Sequence, residues 1–594
     1  MANLVSPGYN RSTLINQTLH PVEERCLEFM GLNRKPVFEE GEMSDMYNLT
    51  SENYPLLTPR KPRGRLELPE GLVPLRIMTR YGRLALIARD GNGIVGFYYD
   101  GDKVNSVTGL SDSTRMVAIN NKICFFPQKT YLEIIATGSS YTIGGYGNLE
   151  ATVTLSSSAA ITPSNEDVRI DVEKNLFKYD DAININGLLA YTPQGGSATT
   201  MQINVSCAVE DVISGETADT LVLPRETFIE LTGEGATNIS LVAASTIERT
   251  MPSLDMVIEW NNRLWGASIA DNTIYACKLG DPTNWQYFQG TGLDSYYAQQ
   301  GTDGIWTGCA AYSSHIIFFK QNSMTRIYGS SPASFQLANT QCFGCREGSR
   351  DSVTVINDKV FYNSVIGIMC YDGGTPYCVS DKLQKTWKTV VGGQDGNKYY
   401  ASTKAGNTWE LMVLDIDKAV WHMEDNTRFV STCTIDNQMY FITQDTESLK
   451  CGESVFVSKK NPHYVGEGAA HDGKVGIVNS TSIDPDDKDI SWRAVFGPFD
   501  EYMENRKIYS RLLLRLVRKA DSEVSVYIAI NKDNPIKDED WELVQHFEPT
   551  KTGGDYIPII PRRCDRYSVK IEGRGKCSIK SLTRKVRMGT GGRL

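Results

Sequence analysis

The feature that most constrains this chain is a unit that keeps returning: a short apolar strand, a turn, a second strand, and a Tyr-Asp or Gly-Asp turn. Early instances are Arg83–Ala88 with Gly96–Gly101, and Lys122–Pro127. Later ones are Asn262–Ala267 with Thr273–Cys277, His315–Lys320 with Thr325–Gly329, and Asp358–Asn363 with Ile368–Gly373. Asn397–Ala401 with Leu411–Asp415, and Asn437–Ile442 with Ser454–Val457, continue the series. In the later half the spacing is about 40 residues, which is the period of propeller blades. One such hairpin sheet cannot bury both its faces, so the units must stack. An Asn or Asp before each inner strand supplies a turn residue that tolerates left-handed backbone.

The period breaks between residues 135 and 245. Ala151–Leu155, Val168–Val172, Met201–Val205 and Ser240–Ala244 alternate with period two, which predicts a small inserted β-sandwich. Asp484–Lys488 reads as a linker. Beyond it, Leu512–Leu516, Glu523–Ile528, Arg566–Ile571 and Ser578–Leu582 alternate again and predict a C-terminal antiparallel sandwich. The expected fold is therefore all-β: a β-propeller of about six to eight blades with an inserted β-sandwich and a C-terminal β-sandwich. The expected boundaries are an N-terminal arm over 1–65, first blades over 66–134, the insert over 135–245, remaining blades over 246–483, and the terminal sandwich with a basic tail over 484–594. The arm is punctuated by prolines across Tyr54–Gly64, which favour extended backbone. Leu14, Ile15, Leu27, Phe29, Met30 and Leu32 need burial, so the arm is expected to lie over the body or over a neighbour.

A length of 594 residues agrees with several domains, at roughly 100–200 residues each. With 41% hydrophobic and 22% charged residues the composition is globular, and 51 glycines with 29 tyrosines favour strands over long helices. No apolar run reaches the roughly 18–20 residues that span a bilayer, so no membrane insertion is expected. Residues 1–12 show no charged-then-apolar leader, and the thirteen scattered cysteines read as thiols of a chain made in a reducing cytoplasm.

The net charge of -10 hides an uneven distribution. Residues 561–594 carry +9 and residues 1–560 carry -19. Arg562, Arg563 and Arg566 open the basic stretch and are the candidate subunit-contact residues. The other readings of that stretch are a solvated strand face and a nucleic-acid contact.

Motifs for chemistry are sparse, and no catalytic residue, cofactor or metal site is expected. Cys342 and Cys345 form one Cys-x-x-Cys pair, but Cys370 and Cys378 are wrongly spaced to complete a zinc ribbon. Gly468–Lys474 fits part of a phosphate loop, yet Val475 stands where Ser or Thr should hold magnesium. Ser402–Trp409 resembles the Asp-box turn of sialidase propellers, with Lys404 in place of the Asp. That box is a structural turn in those enzymes. Trp260, Trp265, Trp285, Trp306, Trp387, Trp409 and Trp421 either pack between blades or stack ligands.

Several phrases resemble structural proteins of tailed bacteriophages, of the tail and DNA-stabilisation type. They are Asn261–Gly266, Ile274–Trp285, Phe318–Lys320 with Ile327–Gly329, Val420–Asp425 and Pro561–Arg566. The architecture is also similar to the nozzle protein of short-tailed phages, tail tubular protein B, including a Gly-Arg-rich end at Gly589–Arg593. This resemblance implies a non-enzymatic virion component: a ring of six copies around the DNA exit channel that retains and guides the genome. Its partners would be further copies of itself, adjacent tail or adaptor ring proteins, and DNA passing through the lumen without sequence-specific binding. An acidic lumen would let phosphates slide. The alternative is a host-surface, glycan-binding tail module.

Overall fold

In the computed structural model the described residues are 22–66, 68, 71–138, 140–161, 167–443, 474–477, 490–500, 507–519, 521–532, 538–549 and 562–588. Leu14, Ile15, the Gly468–Gly473 stretch, Ser454–Val457, the Asp484–Lys488 linker and Gly589–Arg593 fall outside them. The protein is nearly all β. The α-helix among the described residues is Arg225–Thr232, and no described helix is long and apolar enough to cross a membrane. The chain divides into two compact units, one from residues 1–83 and 351–594, the other from residues 84–350.

In the 84–350 unit, outside residues 151–249, consecutive strands within a sheet pair antiparallel in chain order. Arg115–Ile119, Lys122–Phe126, Thr130–Thr137 and Ser140–Asn148 form one four-stranded sheet. Met256–Trp260, Arg263–Ser268, Thr273–Ala276 and Tyr296–Gln299 form a second, and Trp306–Ala311 through Gln336–Gln341 a third. The hairpins follow from local chemistry. Asn261 and Asn262 both have positive φ, 50° and 59°, and join Met256–Trp260 to Arg263–Ser268. Two left-handed residues make the turn whose twist matches paired strands, and Asn adopts that backbone readily. Asp436 and Asn437 repeat the device at 50° and 61° in the other unit.

The inserted element occupies Ala151–Arg249. It consists of a six-stranded sheet, a three-stranded sheet and the helix, around a core that includes Ile185, Leu221, Leu223 and Phe228. Ser140–Asn148 pairs with Thr130–Thr137, so the four-stranded sheet runs past residue 135 before the inserted sheets begin. A polar stitch holds the insert on the Met256–Gln299 sheet. Lys178 reaches Asp281 at 2.8 Å, Lys278 pairs with Asp180, and the Ala182 N–H donates to Asn284 Oδ1 at 2.9 Å. The Asp281–Trp285 turn that provides these partners is itself tied by Trp285 Nε1 donating to the Pro282 carbonyl at 2.7 Å.

The other unit contains the four-stranded sheets Thr354–Cys378 and Val390–Met423. A third sheet joins Phe429–Ile435, Gln438–Thr443 and Lys474–Ile477 to a strand from the far end of the chain, Gly64–Leu66. Two further sheets follow. One has the order Gly31–Leu32, Glu42–Tyr47, Ser491–Phe499, Tyr567–Arg574, Glu523–Ile530, Glu542–Phe547. The other runs Val22–Cys26, Cys577–Met588, Lys507–Arg518, Arg562–Cys564. Residues 22–66 thus supply strands to three sheets otherwise made by residues 429–588. Phe29 and Leu32 are buried in the shared core, whereas Leu27 is 56% exposed. Gly31 sits at φ 83° against the Trp421 carbonyl, where a Cβ would collide with backbone, so the chain passes this point only as glycine.

Candidate functional surfaces

The three predicted contact arginines lie at a sheet edge. Arg562–Cys564 is the outer strand of its sheet, three residues long, with Arg562 and Arg563 exposed and Cys564 buried. Charge on a short edge strand discourages pairing with another chain's strand. Arg562 is engaged within its own chain: both terminal nitrogens meet the Glu542 carboxylate at 2.8 Å. Both partners are more than 40% exposed, so the pair contributes little stability. Arg566 is exposed beside the buried Tyr567.

The remaining basic residues of this region are not one stripe. Arg584 is buried, grips Glu40 through two bonds of 2.7 and 2.9 Å, and lies 3.8 Å over the Phe499 ring. Lys570 is buried over Tyr527 and Trp541. Lys585 faces Glu23 at 3.6 Å. Acids of the N-terminal segment therefore meet part of the C-terminal charge.

A second ionic cluster fastens the proline-punctuated segment. Arg63 reaches Glu424 at 2.6 Å and Asp425 at 2.8 Å, and Arg60 reaches Asp425 at 3.2 Å and Asn48 at 2.7 Å. Thr427 accepts from Arg63 at 2.8 Å, and Tyr400 donates to Glu424 at 3.3 Å. Burial alone would raise the Asp425 carboxyl, but Arg63 and Arg60 outweigh it and hold the group well below the usual carboxylate range. Glu424 and Asp425 were visible in the sequence only as part of the Val420–Asp425 phrase. Nothing local marks which of many arginines they meet.

The described residues also line cavities. A polar cleft of about 720 Å³ in the first unit is lined by Arg34, Glu410, Arg493, Asp45 and their neighbours. Four of its charges pair within it: Arg34 on Glu410 at 3.2 Å, and Arg493 on Asp45 at 2.7 Å. A groove of about 340 Å³ in the 84–350 unit lies between the insert and the Met256–Gln299 sheet. Tyr275, Phe288 and Tyr297 form its aromatic wall, with Gln286, Gln289 and Ser206 beside them. The seven tryptophans considered as ligand platforms are all buried, and Trp265 packs against Trp260, Tyr296 and Phe335.

Among the described residues no group of three or more His, Cys, Asp or Glu side chains is placed to hold a metal ion. Burial pushes the Cys342 thiol up to about 11, and the buried Cys345 donates weakly to backbone carbonyls. Ser402 of the Asp-box-like turn is buried, accepts from the Phe429 N–H at 3.0 Å and donates to the Thr427 carbonyl at 2.9 Å, which is a structural use.

No protein-family model matches the sequence, and no curated protein matches it either. Among solved structures the chain is similar to Hsv2p of Kluyveromyces lactis, at 12% identity and a TM-score of 0.25, over 51% of this chain and 88% of that one. PorZ, a surface component of the type-IX secretion system of Porphyromonas gingivalis, aligns at 11% identity and 0.24, over 91% of this chain and 82% of that one. The N-terminal domain of Nup159 aligns at 10% identity and 0.22, over 55% and 90%. With TM-scores this low, the functional reading rests on the chain's own residues.

Proposed function

We propose that this chain is a structural protein of a bacteriophage tail, a ring-forming nozzle or hub component around the DNA exit channel. In this reading the successive four-stranded sheets are blades of one β-propeller, and Gly64–Leu66 closes the last blade. The observation that carries the proposal is the interlocking of the chain's two ends. Residues 22–66 pair into three sheets built from residues 429–588 and are pinned where the buried Arg60 and Arg63 meet Glu424 and Asp425. A strand held by a ladder on one side and a buried charge cluster on the other resists peeling, because all of those bonds must break together. A component that holds a packaged genome needs this mechanical property. The bacteriophage phrases in the sequence support the same reading.

The partners would be copies of this chain, adjacent tail or adaptor rings, and DNA sliding through the lumen. The protein would be synthesised in the host cytoplasm and reside in the virion. Electron microscopy of purified particles tests the proposal, with the subunit located by a tag. Rings of this subunit on the tail axis are expected. A chain absent from particles, and monomeric when purified, would overturn it. Joint reversal of Arg562, Arg563 and Arg566 to Glu tests the contact residues. Blocked assembly of a normally folded chain is expected, and assembly at normal yield would return these arginines to solvated surface.

A further inference from the structure

We propose that the groove between the inserted element and the Met256–Gln299 sheet is a binding site for a neutral hexose-based glycan. The proposal stands on the groove's own geometry and does not depend on the tail assignment.

Tyr275 and Tyr297 are directly paired across neighbouring strands, so their rings emerge on the same face. The ring centroids are 6.5 Å apart and the planes differ by 32°, which makes a nearly continuous aromatic surface. Phe288 meets Tyr297 edge-on at 5.7 Å and 76°, closing one end. Tyr297 is 61% exposed and Phe288 49%, so two large rings stand at the surface side by side. Exposed aromatic area gathered at a concavity marks a binding site more often than isolated exposed residues do. The platform is held rigidly: Tyr275 donates to Asp271 at 2.5 Å, and burial with that carboxylate keeps the phenol protonated.

The polar groups select the ligand class. Ser206 donates to Asn184 at 2.5 Å, and Asn184 in turn donates to the Gln286 carbonyl oxygen. This relay occupies the Gln286 oxygen and orients its NH2 group as the remaining donor. Gln289 makes no side-chain hydrogen bond to any described residue. Among the described residues no Lys, Arg, Asp or Glu lines the groove. A nucleic-acid strand or other anion would find no cation to meet its charge. A wholly apolar ligand would leave the amides without partners. A sugar ring satisfies both features, with its C–H face on the tyrosines and its hydroxyls on the amides. The cavity lies near the lower end of the ~300–1,000 Å³ typical of small-molecule sites, which suits a few sugar units.

The test uses the full-length protein with cellohexaose, maltohexaose and chitohexaose as probes, by saturation-transfer NMR and calorimetry. At least one should bind, and Tyr297→Ala and Phe288→Ala should each weaken that binding by about tenfold or more. Tyr81→Ala, which removes an exposed aromatic elsewhere, should leave it unchanged. The substituted side chains are exposed, and equal melting temperatures will show that the fold is kept. No binding of any probe at millimolar concentration would overturn the proposal, as would binding that survives Tyr297→Ala. Binding of a thymidine dodecamer that Tyr297→Ala abolishes would assign the groove to single-stranded nucleic acid instead, and would equally overturn it.

Discussion

His422 offers a direct test of how this fold treats a buried titratable group. It sits in the strand Val420–Met423, directly paired with Val413, and is 1% exposed. Neither ring nitrogen has a hydrogen-bond partner among the described residues. Burial, reinforced by Lys398 and Lys418 and opposed by Asp415, pushes the imidazole down to about 3. The unfolded chain holds this histidine near its ordinary value of about 6.5. Below that pH the unfolded state binds a proton that the folded state refuses, so stability is present above about pH 6.5 and falls as the pH drops. At pH 5 the unfolded group is about 1.5 units below its pKa. At 1.36 kcal/mol per unit this is a loss of about 2 kcal/mol relative to neutral pH. The figure holds for any folded value well below 5. His315, pushed down to about 4 chiefly by burial, adds a similar slope in the other unit. Single-site comparison separates the two. Urea unfolding of the parent and of His422→Leu, at pH 7 and at pH 5, should show the parent losing about 2 kcal/mol more than the variant. At pH 7 the variant should be as stable as the parent or better, because it removes polar atoms that have no partner. Equal losses in the two proteins would refute the argument and mean that His422 is hydrated or paired.

Three other perturbations address the interlock and the turns. Arg63→Met leaves the buried Glu424 without its arginine and Asp425 with Arg60 alone, and should cost about 3–5 kcal/mol; with Asp425→Asn added, denaturation should show a loss smaller than the sum of the singles. Because the Asp425 carboxyl is held low, its contribution should persist at neutral pH and fade only below about pH 4, as acid unfolding will read. For the Glu40–Arg584 pair the order should be asymmetric. Glu40→Gln takes the Glu40 carboxylate from a guanidinium that is 2% exposed and should cost more in thermal unfolding than Arg584→Met, which leaves a carboxylate that is 41% exposed to water. Asn262→Val puts a β-branched residue at φ 59° and should cost about 1–2 kcal/mol by chemical denaturation, whereas Asn262→Gly should be close to neutral.

The hairpins were legible because their signal is local. Asn261–Asn262 and Asp436–Asn437 are adjacent residues whose backbone preference fixes the turn, and the flanking apolar runs fix the strands. Pairing between distant strands carries no such mark. Nothing near Val22–Cys26 indicates that its partner is Cys577–Met588, and residues 1–65 therefore read as an arm although the described part supplies strands to three sheets. The insert's edge was obscured for a related reason. Ser140–Asn148 is rich in glycine and tyrosine and lacks a hydrophobic alternation, yet it completes the sheet before the insert. The aromatic groove carries no mark in the sequence, because Tyr275, Phe288 and Tyr297 are ordinary strand and turn residues until the insert is set against them.

Charge demanded a finer reading than a sum. In Cys577–Met588, Leu582, Arg584 and Val586 alternate onto one buried face, so period two alone places Arg584 inward. An inward arginine requires an acid, and Glu40 meets it from the N-terminal segment. The same holds on the other side of the balance. Glu42 and Glu424 are buried and Asp425 is partly buried, each against Lys382, Arg63 or Arg60, so they add little to the field around the protein. The split between +9 and -19 therefore overstates what a neighbouring subunit or a passing phosphate would meet. In the proposed tail role, electrostatic sliding of DNA would have to come from acids that remain exposed. Neutralising Glu424 or Asp425 should therefore lower stability in chemical denaturation while changing little of the field around the protein.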